Sequence, residues 1–223
     1  MINQPTLTTS QQVFAGQAIY SKLALSFYDL VVLNISNNYI WRCPSSQIQA
    51  LYQEHISLNH LEVGVGTGYF LQHCRFKGTP RIALMDLNQN CLDMTAQRLK
   101  NYKTEQYKKN IFEPLDRSIP AFDSLAINYV LHCLPGDIYS KTIVFSNLKP
   151  LLSPKAVVFG STILCKGVKL NPMAQLLTKT YNAKGVFSNL HDDYKGLKKC
   201  LESNFSTVHM NLIGCVALFW AQV

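Results

Sequence analysis

Residues 61–70, LEVGVGTGYF, decide how the rest of the chain is read. Glu62 stands two positions ahead of Gly64, Gly66 and Gly68, which are spaced as G-x-G-x-G. The run before them is apolar and strand-like, and Tyr69, Phe70 and Leu71 open a helix. A glycine-rich turn between a strand and a helix lets the backbone approach a ligand closely, because no Cβ intervenes. The bland alternative is a tight connection with no ligand. The dinucleotide fingerprint requires G-x-G-x-x-G, and Tyr69 occupies the place of its third glycine. A phosphate-binding loop ends in Gly-Lys-Ser/Thr, which is absent. A carboxylate just ahead of the glycines suits a cationic ligand better than a pyrophosphate.

The stretch resembles motif I of class I S-adenosylmethionine-dependent methyltransferases. The resemblance implies that Glu62 and the backbone of Gly64, Gly66 and Gly68 hold the methionine end of the cofactor, which carries an ammonium and a sulfonium and no phosphate. A second strand should then end in an acid roughly 20 residues after the turn, to accept ribose hydroxyls. Residues 81–87, RIALMDL, end at Asp86 with Leu87 beside it, and Asn88 caps the helix expected over 88–100. Residues 105–112 read as a short third strand, and Asn110 and Ile111 resemble the adenine-binding segment, where the family often has Asp at the Asn110 position. Residues 122–134, FDSLAINYVLHCL, form an apolar strand reaching Asn128, Tyr129, His132 and Cys133, with Pro135 and Gly136 as a break. They resemble motif IV, which implies that Asn128 and Tyr129 contact the cofactor. Residues 148–164 resemble the family's L-x-P-G-G segment and strand, with Ser153 and Pro154 in place of the turn glycines.

The resemblance implies an α/β Rossmann-like, seven-stranded sheet in the order 3-2-1-4-5-7-6, its last strand antiparallel, with an N-terminal helical extension. Residues 1–56 are expected to form a helical cover over the pocket, and residues 57–223 the methyltransferase core, within one structural domain. Leu23, Phe27, Leu30 and Val31 have the i, i+4, i+7, i+8 spacing of an amphipathic helix over 18–33. Residues 34–42 read as irregular, and Pro44, Ser45 and Ser46 start a helix through His55. Tyr20, Tyr28 and Trp41 are candidates for the substrate wall, against the alternative of ordinary aromatic packing. A helix over 192–204 and a hairpin around Gly214 complete the chain.

The 223 residues are 48% hydrophobic, enough for one α/β domain with an extension. Residues 1–12 lack a basic segment followed by an apolar core, and no apolar run is long enough to span a bilayer, so a signal peptide and membrane insertion are not expected. Seven cysteines are scattered without a C-x-x-C pair and read as reduced thiols of a cytoplasmic protein. No metal-ligand spacing occurs, and no metal site is expected. The net charge is +8, with lysines concentrated at 98–109 and 155–199. An RNA-binding face is one reading; a solvated basic surface is preferred, because no arginine-rich run or RNA-binding module is present. Residues 128–133, NYVLHC, also lack the prolines typical of enzymes that methylate exocyclic base amines.

The expected activity is therefore transfer of a methyl group from S-adenosyl-L-methionine to a small-molecule acceptor, leaving S-adenosyl-L-homocysteine. An RNA methyltransferase and an inactive cofactor-binding scaffold are the alternatives. The element Trp41-Arg42-Cys43-Pro44 ahead of motif I looks like that of small bacterial and fungal methyltransferases, some tied to secondary metabolism. His132, at the carboxyl edge of its strand, is the candidate base or acceptor-positioning residue; the competing reading has it bonded to the fold's own backbone or to the cofactor carboxylate. Asp123, at the start of that strand, reads as structural. Oligomeric state is not legible in one chain.

Overall fold

The computed structural model describes residues 29–223. Tyr20, Tyr28 and most of the helix expected over 18–33 lie outside these residues. Strand β1 (Asn59–Val63) forms the centre, paired in parallel with β2 (Arg81–Asp86) on one side and β4 (Phe122–Asn128) on the other, so that Leu61 lies between Ala83 and Leu125. Outside them lie β3 (Thr104–Lys108), beyond β2, and β5 (Leu152–Ile163), beyond β4. The hairpin of β6 (Thr207–Ile213) and β7 (Val216–Gln222) closes the sheet, with β7 antiparallel to both β5 and β6. The order is β3-β2-β1-β4-β5-β7-β6, as the resemblance implied.

Strand pleating sends alternate residues to opposite faces, and each face carries its own core. Leu61, Val63, Leu125 and Ile127 pack with Phe145 of α4 (Thr142–Leu148) and Leu197 and Leu201 of α6 (Tyr194–Glu202). Ile82, Leu84, Ala126 and Phe159 pack with Ile48 and Tyr52 of α1 (Ser45–His55), Leu92 of α3 (Gln89–Arg98) and Ala174 of α5 (Pro172–Ala183). The remaining helix, α2 (Tyr69–Gln72), is a single turn after the glycines. Short polar side chains start three helices by accepting a backbone N–H: Asn88 from Asn90 at 2.9 Å, Asn171 from Ala174 at 2.8 Å, and Asp193 from Gly196 at 2.6 Å.

Three local expectations need correction. Residues 34–42 are not irregular: a π-helical segment runs Asp29–Ile40, its end closed by Trp41 N–H to Ser36 O and by Asn37 Nδ2 to Ser45 Oγ of α1. Strand β3 stops at Lys108, because Asn110 folds into its own turn, accepting from Phe112 N and donating to Glu113. Ser153 and Pro154 do not form a turn ahead of the strand: they lie within β5, where pairing with β4 shifts register between Phe122 and Ser124 and Lys155 is left-handed (φ 66).

Candidate functional site

β1 has β2 and β3 on one side and β4 and β5 on the other, so the sheet reverses direction of growth between β1 and β4. Ligands of open α/β sheets bind at the carboxyl ends of strands at such a point. A cleft of about 1220 Å³, counting the space open to solvent, lies there. Glu62, Gly64, Gly66, Gly68, Asp86, Leu87, Asn110, Ile111, Asn128 and Tyr129, the ten residues assigned to cofactor contacts, all line it.

The turn owes its shape to glycine. Gly64, Gly66 and Gly68 have φ of 69°, 52° and 73°, a region that side chains rarely adopt. A Cβ on Gly64 would stand 2.2 Å from Val130 Cγ2, and one on Gly68 2.6 Å from Thr95 Cγ2, whereas at Gly66 it would meet nothing within 4 Å. Gly66 is thus the point at which the backbone is open to a ligand.

Glu62 is 4% exposed, and both its oxygens are engaged. Tyr52 Oη donates to Oε1 at 2.5 Å, and His60 Nε2 lies 3.2 Å from Oε2. Tyr52 is fixed by stacking on Phe70 (5.7 Å between centroids) and against the Phe159 edge (5.1 Å). Sequence reasoning missed Tyr52 and His60. Their signals were the i, i+4 pair Ile48 and Tyr52 on α1 and the i, i+2 pair His60 and Glu62 on β1, which place them on facing surfaces.

At the other end, Asp86 accepts from Asn88 N–H at 2.8 Å, and the amides of Val65, Gly66 and Leu87 also point at its carboxylate. Burial nevertheless pushes its pKa from 3.8 up to about 6. An ionised carboxylate accepts from two hydroxyls, and a protonated one gives up an acceptor site. Cofactor affinity should therefore weaken as pH falls from 7 through 5. Asp86→Asn should bind about 10- to 100-fold more weakly, the equivalent of one or two charged hydrogen bonds, with a blunted pH dependence. Calorimetric titration reads both, and a wild-type affinity flat between pH 5 and 7 would refute the assignment.

Asn128 ends β4, its Oδ1 accepting from Ser161 Oγ at 2.8 Å. Its Nδ2 faces the Tyr52 phenol, yet has no partner at hydrogen-bonding distance. A buried unpaired donor is costly, so this amide is available to a ligand. Tyr129 follows with φ 56, a strained value for a non-glycine residue at the mouth of a site. Asn110 lines the cleft, but its side-chain amide is committed to the turn described above.

His132 and Trp41 do not line the cleft. His132 sits in the 3-10 turn Leu131–Cys133, which directs its ring against Phe187 (4.5 Å) and Tyr129 (5.7 Å), with Nδ1 3.4 Å from Ile163 N and Thr162 Oγ1. Burial, reinforced by the Lys141 ammonium, lowers its pKa to about 3. Trp41 is 3% exposed and packs on Phe187, while its carbonyl accepts from Cys215 N–H. Asp123, exposed at the far end of β4, accepts from Asn59 Nδ2. Among the described residues, no group of three His, Cys, Asp or Glu could hold a metal, all seven cysteines are free, and no helix is long and apolar enough to cross a membrane.

A carboxylate at each end, an open glycine turn between them and an unpaired amide fit a cationic ligand that also presents hydroxyls. That combination, at the switch point of this sheet order, marks a nucleoside-cofactor site of the Rossmann-like class. Residues 61–158 match a methyltransferase domain family. The chain is 37% identical over 212 residues to demethylluteothin O-methyltransferase of Streptomyces thioluteus, spanning 95% of this chain and 92% of that protein. It is 36% identical over 220 residues to the physcion biosynthesis cluster O-methyltransferase of Aspergillus chevalieri, covering 98% of each. Among solved structures, the N-methyltransferase NodS from Bradyrhizobium japonicum WM9, in complex with S-adenosyl-L-homocysteine, aligns over 97% of this chain and 98% of that one. Its TM-score of 0.60 at 13% identity is a likeness of fold. The chain belongs to the S-adenosylmethionine-dependent methyltransferases, and S-adenosyl-L-methionine is its cofactor.

Proposed function

We propose that this enzyme methylates a hydroxyl oxygen of a small secondary metabolite. The observation that carries the reading is similarity along nearly the whole chain to two relatives named as O-methyltransferases, one of a biosynthesis cluster. The RNA alternative gains nothing from them. Met85, Leu87, Ile111, Val130 and Leu134 give the cleft an apolar lining, in keeping with an apolar acceptor. When bound, the cofactor supplies a methyl group already activated on a sulfonium, so the chain's task is alignment and exclusion of water. Asp86 would accept the ribose hydroxyls, Glu62 and the glycine turn would hold the methionine end, and the loop at Asn110 and Ile111 would border the adenine. Residues 1–56 would act as a cover over the core of 57–223; in support, α1 already extends Tyr52 into the cleft wall. The free cysteines fit a reducing, cytoplasmic setting.

The test is incubation with methyl-labelled cofactor and three acceptor sets: hydroxylated aromatics, matched amines and bulk RNA. Label confined to the hydroxylated compounds supports the reading. Label entering only amines or RNA overturns it.

His132 takes the positioning role in this reading, its ring set between Phe187 and Tyr129, and Tyr129 lines the cleft. A group with a pKa of about 3 is a poor base near neutrality. Its depressed value has a consequence for stability. The unfolded chain takes up a proton below a pKa of about 6.5 that the folded chain refuses until about 3, so folding stability is lost as pH drops through that window. His132→Gln should lose less stability between pH 7 and 4 than the wild type, as read by denaturant midpoints. Parallel losses in the two proteins would exclude the effect.

A further inference from the structure

His60 and Glu62 lie two residues apart on β1, on the face covered by α1, and a chain of hydrogen bonds runs from His60 through Ser124 to Ser57. Ser57 Oγ lies 2.9 Å from Asn59 O, a carbonyl that can only accept, so the Ser57 hydroxyl proton points there. The 2.9 Å contact between Ser57 Oγ and Ser124 Oγ must then be donated by Ser124. With its one proton spent, Ser124 can only accept from His60 Nδ1 at 2.8 Å, as it also does from Ser57 N–H. With the hydroxyls so arranged His60 carries a proton on Nδ1, whereas Ser57 donating to Ser124 instead would leave Nδ1 as an acceptor. Its other nitrogen, Nε2, faces Glu62 Oε2 at 3.2 Å, a contact that itself requires a proton.

We propose that His60 and Glu62 together hold one proton beyond a neutral histidine and an ionised carboxylate, and that binding of the cofactor's ammonium expels it through Ser124 and Ser57. The proposal rests on Glu62 holding the methionine end of the cofactor. One buried carboxylate cannot balance both an imidazolium and an ammonium without leaving a net charge in the interior. The hydroxyl chain offers the exit. His60 Nδ1 gives its proton to Ser124 Oγ, Ser124 gives its own to Ser57 Oγ, and Ser57, half-buried at the amino-terminal edge of β1, gives its own to water. Afterwards Ser57 donates to Ser124, Ser124 donates to Nδ1, and neutral His60 still donates from Nε2 to Glu62. Every contact except Ser57 to Asn59 O survives, and His60 serves as the positioning residue for Glu62 in both states.

The surroundings contribute no competing charge. Tyr52 of α1 faces the pair, and burial holds its phenol well above the ordinary range. Cys74, after α2, is pushed up to about 12 by burial. From β4 and β5 the pair meets Ser124, Asn128 and Phe159, whose ring stacks on His60 at 5.9 Å. His55 of α1 contacts Phe159 and Trp220 instead. Among the described residues, no lysine or arginine forms an ion pair with Glu62.

The experiment is calorimetric titration with S-adenosyl-L-homocysteine at pH 7 in buffers of different ionisation enthalpy, for wild type, Ser124→Ala and His60→Gln. The slope of enthalpy against buffer enthalpy counts protons released. Wild type should release roughly one proton per site. Of this, Asp86, about 6 in the free protein, contributes only ~0.1 in all three proteins. Ser124→Ala, which leaves Nδ1 without an acceptor and so favours the neutral ring, should bind within 10-fold of wild type and release few protons. His60→Gln should also release few. Equal release by wild type and Ser124→Ala overturns the proton exit while leaving the cofactor reading intact. If the folded wild type gives no binding heat, the assignment of the cleft fails and the inference with it.

Discussion

Replacing Lys141 by Met should destabilise the fold by about 3–5 kcal/mol, the cost of leaving a buried carboxylate without its counter-ion. Lys141 and Asp192 are both fully buried, with Nζ 2.6 Å from Oδ2 and 2.7 Å from Ser188 O. Burial lowers the lysine's pKa and raises the aspartate's, so neither ionises at its ordinary value, and each depends on the other. The pair ties the start of α4 to the loop after α5. That loop also bonds His132 O through Ser188 N–H, and Ile163 O through the Asn189 amide. Losing the ammonium thus loosens the roof over His132 and the carboxyl end of β5 together. For a protein of this size the loss corresponds to a fall in Tm of roughly 10 °C. The double variant Lys141→Met/Asp192→Leu should recover most of it, because an apolar pair of similar volume has no desolvation cost to offset. Thermal unfolding of the three proteins decides the matter. A single variant within 1 kcal/mol of wild type would mean that Asp192 is protonated and uncharged in the fold.

What the sequence disclosed and what it hid follow one physical division. That Glu62, the three glycines and Asp86 share one cleft was legible, because it depends on residue type at short spacing beside a strand end. The sheet order followed from the family resemblance that those spacings established. Contacts across long loops left no such trace. Lys141 and Asp192 are 51 positions apart and Ser57 and Ser124 67 apart, and no local pattern marks any of them as buried partners. Tyr52 drew no reading from the sequence, because nothing on α1 says that β1 presents a carboxylate opposite. His132 was expected at the cleft edge or bonded to the fold's own backbone, and its Nδ1 lies 3.4 Å from Ile163 N. A strand continued past Asn128 would have carried it to the cleft edge, but the left-handed Tyr129 and the 3-10 turn swing its ring toward Phe187. Asn110 lines the cleft but has its side chain drawn into local geometry in a similar way. An amide that makes its own turn has few hydrogen bonds left to offer.

Gly66→Ala should cost cofactor binding at least about 100-fold, or ~2.7 kcal/mol, more than it costs the fold. Of the three turn glycines, Gly66 alone has open space where a Cβ would stand, and it lines the cleft. An alanine there would clash with no protein atom, and holding it at φ 52° costs about 1–2 kcal/mol. The methyl group would occupy the space through which a ligand reaches the turn, and the loss should appear in dissociation constants more than in melting temperature. Gly64→Ala provides the contrast. Its Cβ would overlap Val130 Cγ2, so it should damage the turn, the β4 edge and thermal stability along with binding. Both variants should be titrated with S-adenosyl-L-homocysteine and melted side by side. If Gly66→Ala binds as tightly as wild type, the cofactor does not pass against the glycine backbone. The roles of Glu62 and Asp86 would then have to be sought along a different wall of the same cleft.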